Sequence, residues 1–599
     1  MRRAALIATC LLALLASLMA QMPTVVFSCQ GGFYEESFSL TLTCDEGLKI
    51  RYTTNGNIPT GTSTLYGFPL TLDEELYSKS KIYTIVNTIP SQFYEVEDVE
   101  HAIVIRAAAF DANDSCVGPV VTNTYFIKAL GCDLHGLPAL SVAADSLDLF
   151  DYETGIFVPG IHYDPTDSIH TGNFHQTGRE WERIVNVEFY EPNNQGINQI
   201  CGLRTHGAAS RFFQQKGMKL YAREEYGTKR FKHKFFESTP IESFKRLCLH
   251  PFRCSNWLQT GGQDYLAHRI ASHLDIESLA VREVVVFING EYWGIYTLEE
   301  SPDQRYLEDH YDVDLEQVNM IKWWCVNHYG DISDWDDFYT WIREADLQNP
   351  ADSAMAFSRV DMSSFIDYMI YGTFTANLDW PQNNVLIWQR ASGEPFRFLF
   401  FDGDGCYTRW YYQALDNAIH QGGNSVVFKH FLENEYFRKR FCERYNELKE
   451  THFRYEAMKP YLEEYRNLVR EEIPNQADRF GFPWHKWKWA ADMDSTDMFL
   501  QRRSLAYEQE LSGFMSIGEA EIQPFSCYPN PSSGAFVVVI HSNASVTLPV
   551  EIYDVMGRRI WVKERHLAEG SNMVDFNLEL PSGLYLMKIG NNVQQIVIN

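Results

Sequence analysis

The pattern of apolar and polar positions changes character several times along the chain. An apolar run from Ala4 to Leu18 follows the basic start Met1–Arg3 and closes on small residues, Ala16 to Ala20, the layout of a secretory signal peptide over residues 1–20. The run falls short of the roughly 20 residues that span a bilayer, and no later segment is apolar for that long, so no transmembrane span is expected. Cys10 sits too early, inside the run, to mark a lipoprotein site.

Over residues 22–128, short stretches rich in Thr, Val, Tyr and Ile are broken by Asn55-Gly56-Asn57 and Asp111-Ala112-Asn113-Asp114, which predicts a small β-sandwich. Over residues 137–511 the period is mixed. Strand-like stretches such as Val281–Ile288 alternate with helical ones such as Tyr265–Leu274 and Tyr436–Phe453, predicting an α+β domain whose last hundred residues are mostly helical. A linker, residues 512–523, leads to alternating strands with regular turn signals over residues 524–599, a second small β-sandwich. The expected architecture is therefore multidomain, with an α+β centre flanked by two all-β modules.

The segment Ser363–Tyr407 carries the most information. Phe365, Met369, Ile370 and Phe374 recur at helical spacing, predicting a buried helix that ends near Asn377. Pro381 discourages continued helix. A strand from Val385 to Gln389 turns through Ala391–Pro395 into a second strand, Phe396 to Phe401, which ends in Asp402-Gly403-Asp404-Gly405. In an antiparallel hairpin the first residue of one strand lies beside the last of its partner, so Asn384 and Asp402 converge, with Asp379 held in the loop above them. Such a hairpin mouth is a hard, all-oxygen site suited to magnesium held jointly with nucleotide phosphates. The spacing from Asp379 to Asn384 equals that of the catalytic loop of ordinary protein kinases, and Asp402 falls where their metal-binding Asp falls. By itself the pattern also fits a calcium loop or a solvated turn.

Composition narrows the choice. A formal charge of −28 over 599 residues argues against nucleic acid as a partner, because phosphate-backbone binding rests on clustered Lys and Arg. Of twelve cysteines, Cys10 leaves with the signal. In an oxidising compartment Cys29 with Cys44, Cys116 with Cys132, and Cys248 with Cys254 are close enough in sequence to pair locally. There is neither a CxxC nor an HExxH to support a structural zinc or a zincin site.

Three family resemblances follow from ordered motifs. Ile50–Gly56 with Pro59-Thr60, Ala107–Phe110 and Tyr125 resemble the chitobiase/β-hexosaminidase C-terminal module, which implies either a glycan-binding accessory domain or a spacer without ligand. Cys527–Pro531, Tyr553–Gly557 and Pro581–Tyr585 resemble the type IX secretion system C-terminal sorting domain of Bacteroidetes. That resemblance implies the secretion machinery as a partner and a secreted, cell-surface location associated with the outer membrane. In the centre, Ile288–Tyr296 with Leu298 and Glu300, Arg204–Arg211 with Lys216 and Lys219, and Asn377–Asp379 with Asn384, Asp402 and Asp404 resemble the CotH family of atypical protein kinases. The resemblance implies a kinase-like fold that transfers the γ-phosphate of ATP, with Mg2+, to Ser or Thr of exported or surface proteins. It implies Asp379 as catalytic base and Asn384 and Asp402 as magnesium ligands, with Asp404 competing for that role. It also implies Arg204, Lys216 and Lys219 on the nucleotide side and Glu300 near the nucleotide hinge. Two departures stand out: Trp380 and Pro381 replace the basic residue of ordinary catalytic loops, and no GxGxxG loop is present, His206–Ser210 being the only substitute. An alternative is a non-catalytic surface-binding protein that uses exposed aromatics such as those in Trp484–Trp489. A glycoside hydrolase is less well supported, because no pair of carboxylates is clearly assigned to separate strands.

Overall fold

The computed structural model describes residues 22–77, 81–85, 88–89, 94–253, 258–420, 426–515, 524–542, 546–568, 570–590 and 592–599. The signal-peptide segment and Cys254 lie outside them. The chain divides into two compact units, Met1–Glu508 and Gln509–Asn599.

In the first unit, the N-terminal module is built on a five-stranded sheet ordered Gly32–Tyr34, Val121–Ile127, Ile103–Phe110, Lys49–Thr53, Thr64–Leu65. The Ile103–Phe110 strand is buried along its whole length. One set of alternate residues, Ile103, Ile105, Ala107 and Ala109, fills the module's own core. Beyond the sheet, Ala102 and Phe126 pack on Tyr190, Val285, Phe287 and Tyr292 of the central domain. A strand apolar on both faces is what a sheet sandwiched between two layers requires, so the module is docked on its neighbour.

The central domain opens with a closed seven-stranded barrel. Its strands run, in spatial order, Ala139–Ala143, Arg183–Tyr190, Gly196–His206, Gly217–Tyr221, Arg246–Pro251, Glu291–Glu300 and Val281–Ile288, and the parallel pairing of Ala139 with Val285 closes the ring. The Asn289-Gly290 turn joins the last two strands. Both of its residues have positive φ, 52° and 83°, as a two-residue hairpin turn demands. Alternation sorts the barrel residues: Leu203, Met218, Leu220, Leu247, Leu249, Tyr296 and Leu298 fill the interior. Residues one position away, Arg204, Lys219, Cys248, His250, Thr297 and Glu299, share the outer face, register placing Lys219 opposite Arg204 and Cys248, and Cys248 opposite Glu299.

The second half of the domain is mostly helical. The Met362–Phe374 helix, buried from Ser364 onward, packs on a five-stranded sheet that contains the Leu386–Gln389 and Arg397–Phe400 hairpin. Asp361 caps the helix by accepting from the Ser364 N–H (3.1 Å). At the other end the fully buried Arg503 donates to the Thr373 and Phe374 carbonyls (2.8 Å each) and to those of Trp410 and Tyr412 (2.9 and 3.0 Å). It thus satisfies helix-terminal acceptors and ties the chain beyond Tyr407 to the helix.

The second unit stacks a three-stranded sheet (Ser526–Tyr528, Ala535–Ser542, Gly570–Asn577) on a four-stranded one (Arg559–Leu567, Val546–Asp554, Gly583–Ile589, Asn592–Ile598). Phe536, Val538, Ile540, Ile552, Met587 and Ile596 lie in its core.

The expected local disulfides are not formed. Cys29, Cys44, Cys116, Cys132 and Cys248 are all free thiols. Cys116 is exposed and donates to the Gly118 carbonyl (3.3 Å), whereas Cys132 is buried beside Glu100, so the two occupy different environments. Cys248 points to the outer face of the barrel.

Candidate active site

The helix-to-hairpin segment is built with unusual backbone. Ala376, Asn384, Asp402 and Tyr407 all take the left-handed conformation, with φ of 52°, 56°, 59° and 57°. Asn and Asp tolerate it, whereas Ala and Tyr adopt it at a cost of about 1–2 kcal/mol each. Cross-bonds hold the two loops in place: the Tyr407 N–H donates to the Thr375 carbonyl (2.9 Å) and the Leu378 N–H to the Gly405 carbonyl (3.2 Å). With Leu386 opposite Leu399 and Ile387 opposite Phe398, Asn384 and Asp402 lie just beyond the paired residues at one end of the hairpin. Asp379 accepts from Asn383 Nδ2 (2.8 Å) and Asn384 Nδ2 (3.2 Å), so the Asn384 amide is engaged here through its nitrogen and not its oxygen.

Asp402 lies among charges. Burial pushes its carboxyl up; His250 pulls it back, Asp264 raises it again, a hydrogen bond with Asp404 lowers it and Asp379 raises it. Two of these neighbours come from elsewhere in the chain. Asp264, in the first turn of the Gln263–Ala271 helix, accepts the Gly403 N–H at Oδ1 (2.6 Å), so the Asp402–Asp404 loop is fastened to that helix. Gly403 permits the approach, since a Cβ there would stand 2.5 Å from the Ala267 Cβ. Burial works against ionisation of Asp264, but His268, His250 and the Gly403 N–H hold it well below the usual carboxylate range. Glu299, from the outer face of the barrel, is pushed well up by burial and then by Asp264 and Asp402. Close by, burial and then Asp264 push Glu283 up to about 8, despite a hydrogen bond from Thr297 Oγ1 (2.9 Å).

The same barrel face turns basic further along. Arg204, Lys219, Arg223 and Arg246 surround the Tyr221 ring at 4.5, 5.9, 5.2 and 5.6 Å, against two carboxylates. Glu182 pairs with Arg204 (2.7 Å) and Arg223 (2.6 Å); Asp303, the cap of the Gln304–Tyr311 helix, pairs with Lys219 (3.0 Å) and Arg246 (2.7 Å). Burial would lower Lys219, but the Asp303 charge beside it raises it, so the ammonium stays charged. Lys322 joins the two regions electrostatically, lowered by burial and by Lys219 and raised by Asp402.

Of the residues singled out in the sequence, Asp379, Asn384, Asp402 and Asp404 thus gather in one place, and Arg204 and Lys219 stand side by side on the barrel face. Lys216 is elsewhere. It is buried, donates to the Arg211 and Phe213 carbonyls (2.8 and 3.0 Å) and lies 4.2 Å from the Phe174 ring. Glu300, one residue from Glu299, points to the opposite face, accepting the Ala280 N–H (2.9 Å) and His310 Nε2 (2.8 Å). Sequence reasoning missed Asp264, His250, Glu299 and Asp303. Only Glu299 left a trace, as the neighbour of Glu300 in an alternating strand; the others come from distant segments. Of the Trp484–Trp489 aromatics, Trp484 and Trp487 are exposed and Trp489 is buried.

Comparison with known proteins decides the family. The model of the CotH kinase protein family matches residues 203–507, just over half of the chain. The chain belongs to the CotH kinase family. The match begins inside the Gly196–His206 strand, so the first two strands of the barrel precede the matched CotH region. The chitobiase/beta-hexosaminidase C-terminal domain matches residues 29–115 and the secretion system C-terminal sorting domain residues 526–599. The sorting domain implies the secretion machinery and supports secretion to the cell surface. No curated protein matches the chain. Among solved structures, the Helicobacter pylori proinflammatory kinase CtkA aligns at 11% identity over 47% of this chain and 94% of its own, with a TM-score of 0.21. AaCel9A in complex with cellobiose-like isofagomine aligns at 16% identity over 13% of this chain, with a TM-score of 0.12, and the chain spans 15% of that structure. Neither overlay is close enough to inform the fold. Among the described residues, no helix is long and apolar enough to cross a membrane.

Proposed function

We propose that the CotH domain is an atypical protein kinase on a kinase-like fold, which transfers the γ-phosphate of ATP to Ser or Thr hydroxyls of exported or surface proteins. The carrying observation is the union of two surfaces: the Asp379, Asn384, Asp402 and Asp404 hairpin mouth, and the cationic barrel face of Arg204, Lys219 and Arg246. Phosphoryl transfer is mostly positioning and charge stabilisation, which calls for this juxtaposition.

The donor set fits magnesium, which takes hard oxygen ligands: the Asn384 amide oxygen and the Asp402 and Asp404 carboxylates, with Asp402 crowded by other carboxylates whose repulsion a divalent cation relieves. Bound there, magnesium would neutralise charge on the nucleotide phosphates. Asp379, oriented by the two Asn amides, accepts the proton of the attacking hydroxyl. Lys219, kept protonated by Asp303, supplies a fixed positive charge to phosphate oxygens, the part played in ordinary kinases by a lysine paired with a helix acid. Arg204 adds a second charge beside it.

Calorimetric titration of ATP into the full chain, with and without magnesium, tests the reading. Magnesium-dependent binding is expected, lost in Asp402→Ala and weakened in Lys219→Met; nucleotide binding absent from the wild-type protein under both conditions would overturn it.

A further inference from the structure

On the barrel's outer face, next to the hairpin mouth, three side chains from three elements converge: His250, Asp264 and Glu299. Their ligand atoms all lie within 4.8 Å of one another. His250 Nδ1 is 3.9 Å from Asp264 Oδ2 and 4.0 Å from Glu299 Oε2, too far for hydrogen bonds. Metal–ligand bonds of about 2.0–2.2 Å would fill that gap after a modest contraction.

The orientation of Asp264 is already set by other groups. Leu279 N–H donates to His268 Nδ1 (3.2 Å), so His268 turns its Nε2 edge toward Asp264 Oδ1, 3.5 Å away. The Gly403 N–H occupies that same oxygen. Oδ2, on a residue only 3% exposed, receives no N–H or O–H donor. It is a buried, unpartnered oxygen aimed at His250 and Glu299. Most buried polar atoms in folded proteins are satisfied, and one left over between two other ligand-type groups has room for a cation as its partner.

We propose that His250, Asp264 and Glu299 form a binding site for a borderline divalent transition cation such as Mn2+ or Zn2+, separate from the oxygen-only site at Asn384 and Asp402. An imidazole nitrogen with two carboxylates selects such ions over magnesium, which favours oxygen and water. A neighbouring set, His206, Cys248 and Glu299, shares Glu299, but Cys248 lies opposite Lys219 in register, and a paired ammonium beside it disfavours a second cation. His250 and Asp264 instead face Asp402. The site does not depend on phosphoryl transfer.

The full chain, stripped with a chelator, is titrated with Mn2+ and with Zn2+ in excess Mg2+, and bound metal is counted. One equivalent that magnesium does not displace is expected. His250→Ala should weaken it about 10- to 100-fold. Asp264→Asn, which keeps an acceptor for the Gly403 N–H and so spares the loop, should do the same, whereas Asp379→Asn should leave it unchanged. Circular dichroism checks that each variant is folded. Absence of a magnesium-resistant equivalent overturns the proposal. So does an intense near-ultraviolet thiolate band on Co2+ loading, which would move the ion to Cys248. Loss of ATP binding with the Mn2+ equivalent intact would sink the kinase reading alone.

Discussion

Buried carboxylates occur in two settings in this protein. At the seam between the N-terminal module and the barrel, Glu188 accepts from the Thr124 N–H (3.1 Å), Thr124 Oγ1 (2.5 Å), Tyr190 Oη (2.6 Å) and Asn198 Nδ2 (3.2 Å). Glu291 likewise accepts the Ile82 and Tyr83 N–H groups (3.0 and 2.9 Å). Beside the hairpin mouth, Asp264, Glu299 and Asp402 face one another, and an oxygen of Asp264 has no donor. The first kind satisfies backbone and joins two domains. The second keeps negative charge concentrated where hydrogen bonds do not absorb it, which costs stability in the metal-free protein and is useful only if a cation or a proton is to be held there.

The sharpest way to separate the settings is activity. Asp379→Asn should lower phosphate transfer from labelled ATP by about 10²–10⁴-fold, with no change in the unfolding midpoint. Stability should show the opposite ranking. Glu188→Ala strands several buried donors and should cost about 2–4 kcal/mol in denaturant unfolding. Glu299→Gln should stabilise the metal-free protein by about 1 kcal/mol, by removing one of three crowded carboxyls. If both substitutions destabilise equally, the distinction fails.

Gly403→Ala probes the fastening of the loop. The added methyl meets Ala267, and forcing the loop away should cost about 1–3 kcal/mol and weaken magnesium–ATP binding together with it. Unchanged nucleotide affinity would mean that the Asp402–Asp404 loop does not need the Gln263–Ala271 helix.

The last test concerns another buried acid, Glu100, near the module seam, which accepts from Asn475 Nδ2 (2.9 Å). Burial, and then Glu472, push it up to about 8. Because its pKa is raised on folding, its contribution to stability is complete below about pH 4.5 and is lost as pH rises through 8. Glu100→Gln should therefore melt close to the wild-type temperature at pH 4.5 and above it at pH 8.5. Equal melting temperatures at both pH values would show that Glu100 ionises freely.

Much of the local structure was legible in the chain. Helical spacing of Phe365, Met369, Ile370 and Phe374 located the helix that ends at Phe374, and the strands around Ala391–Pro395 formed the expected hairpin. Asn289-Gly290 made its turn, because short-range patterns act through neighbours in the chain. The proximity of Asp379, Asn384, Asp402 and Asp404 was legible for the same reason. Sequence could not separate Lys216 from Lys219, or Glu300 from Glu299. In each pair the side chains differ by which way the strand faces, and register is set by partners far along the chain. Nor could it join His250, Asp264 and Glu299, or show that the barrel closes by pairing Ala139 with Val285. The sequence alone determined the family, the three modules and the hairpin motif; only the tertiary structure decided which charges meet, since the field around a buried carboxyl depends on distance through space and not along the chain.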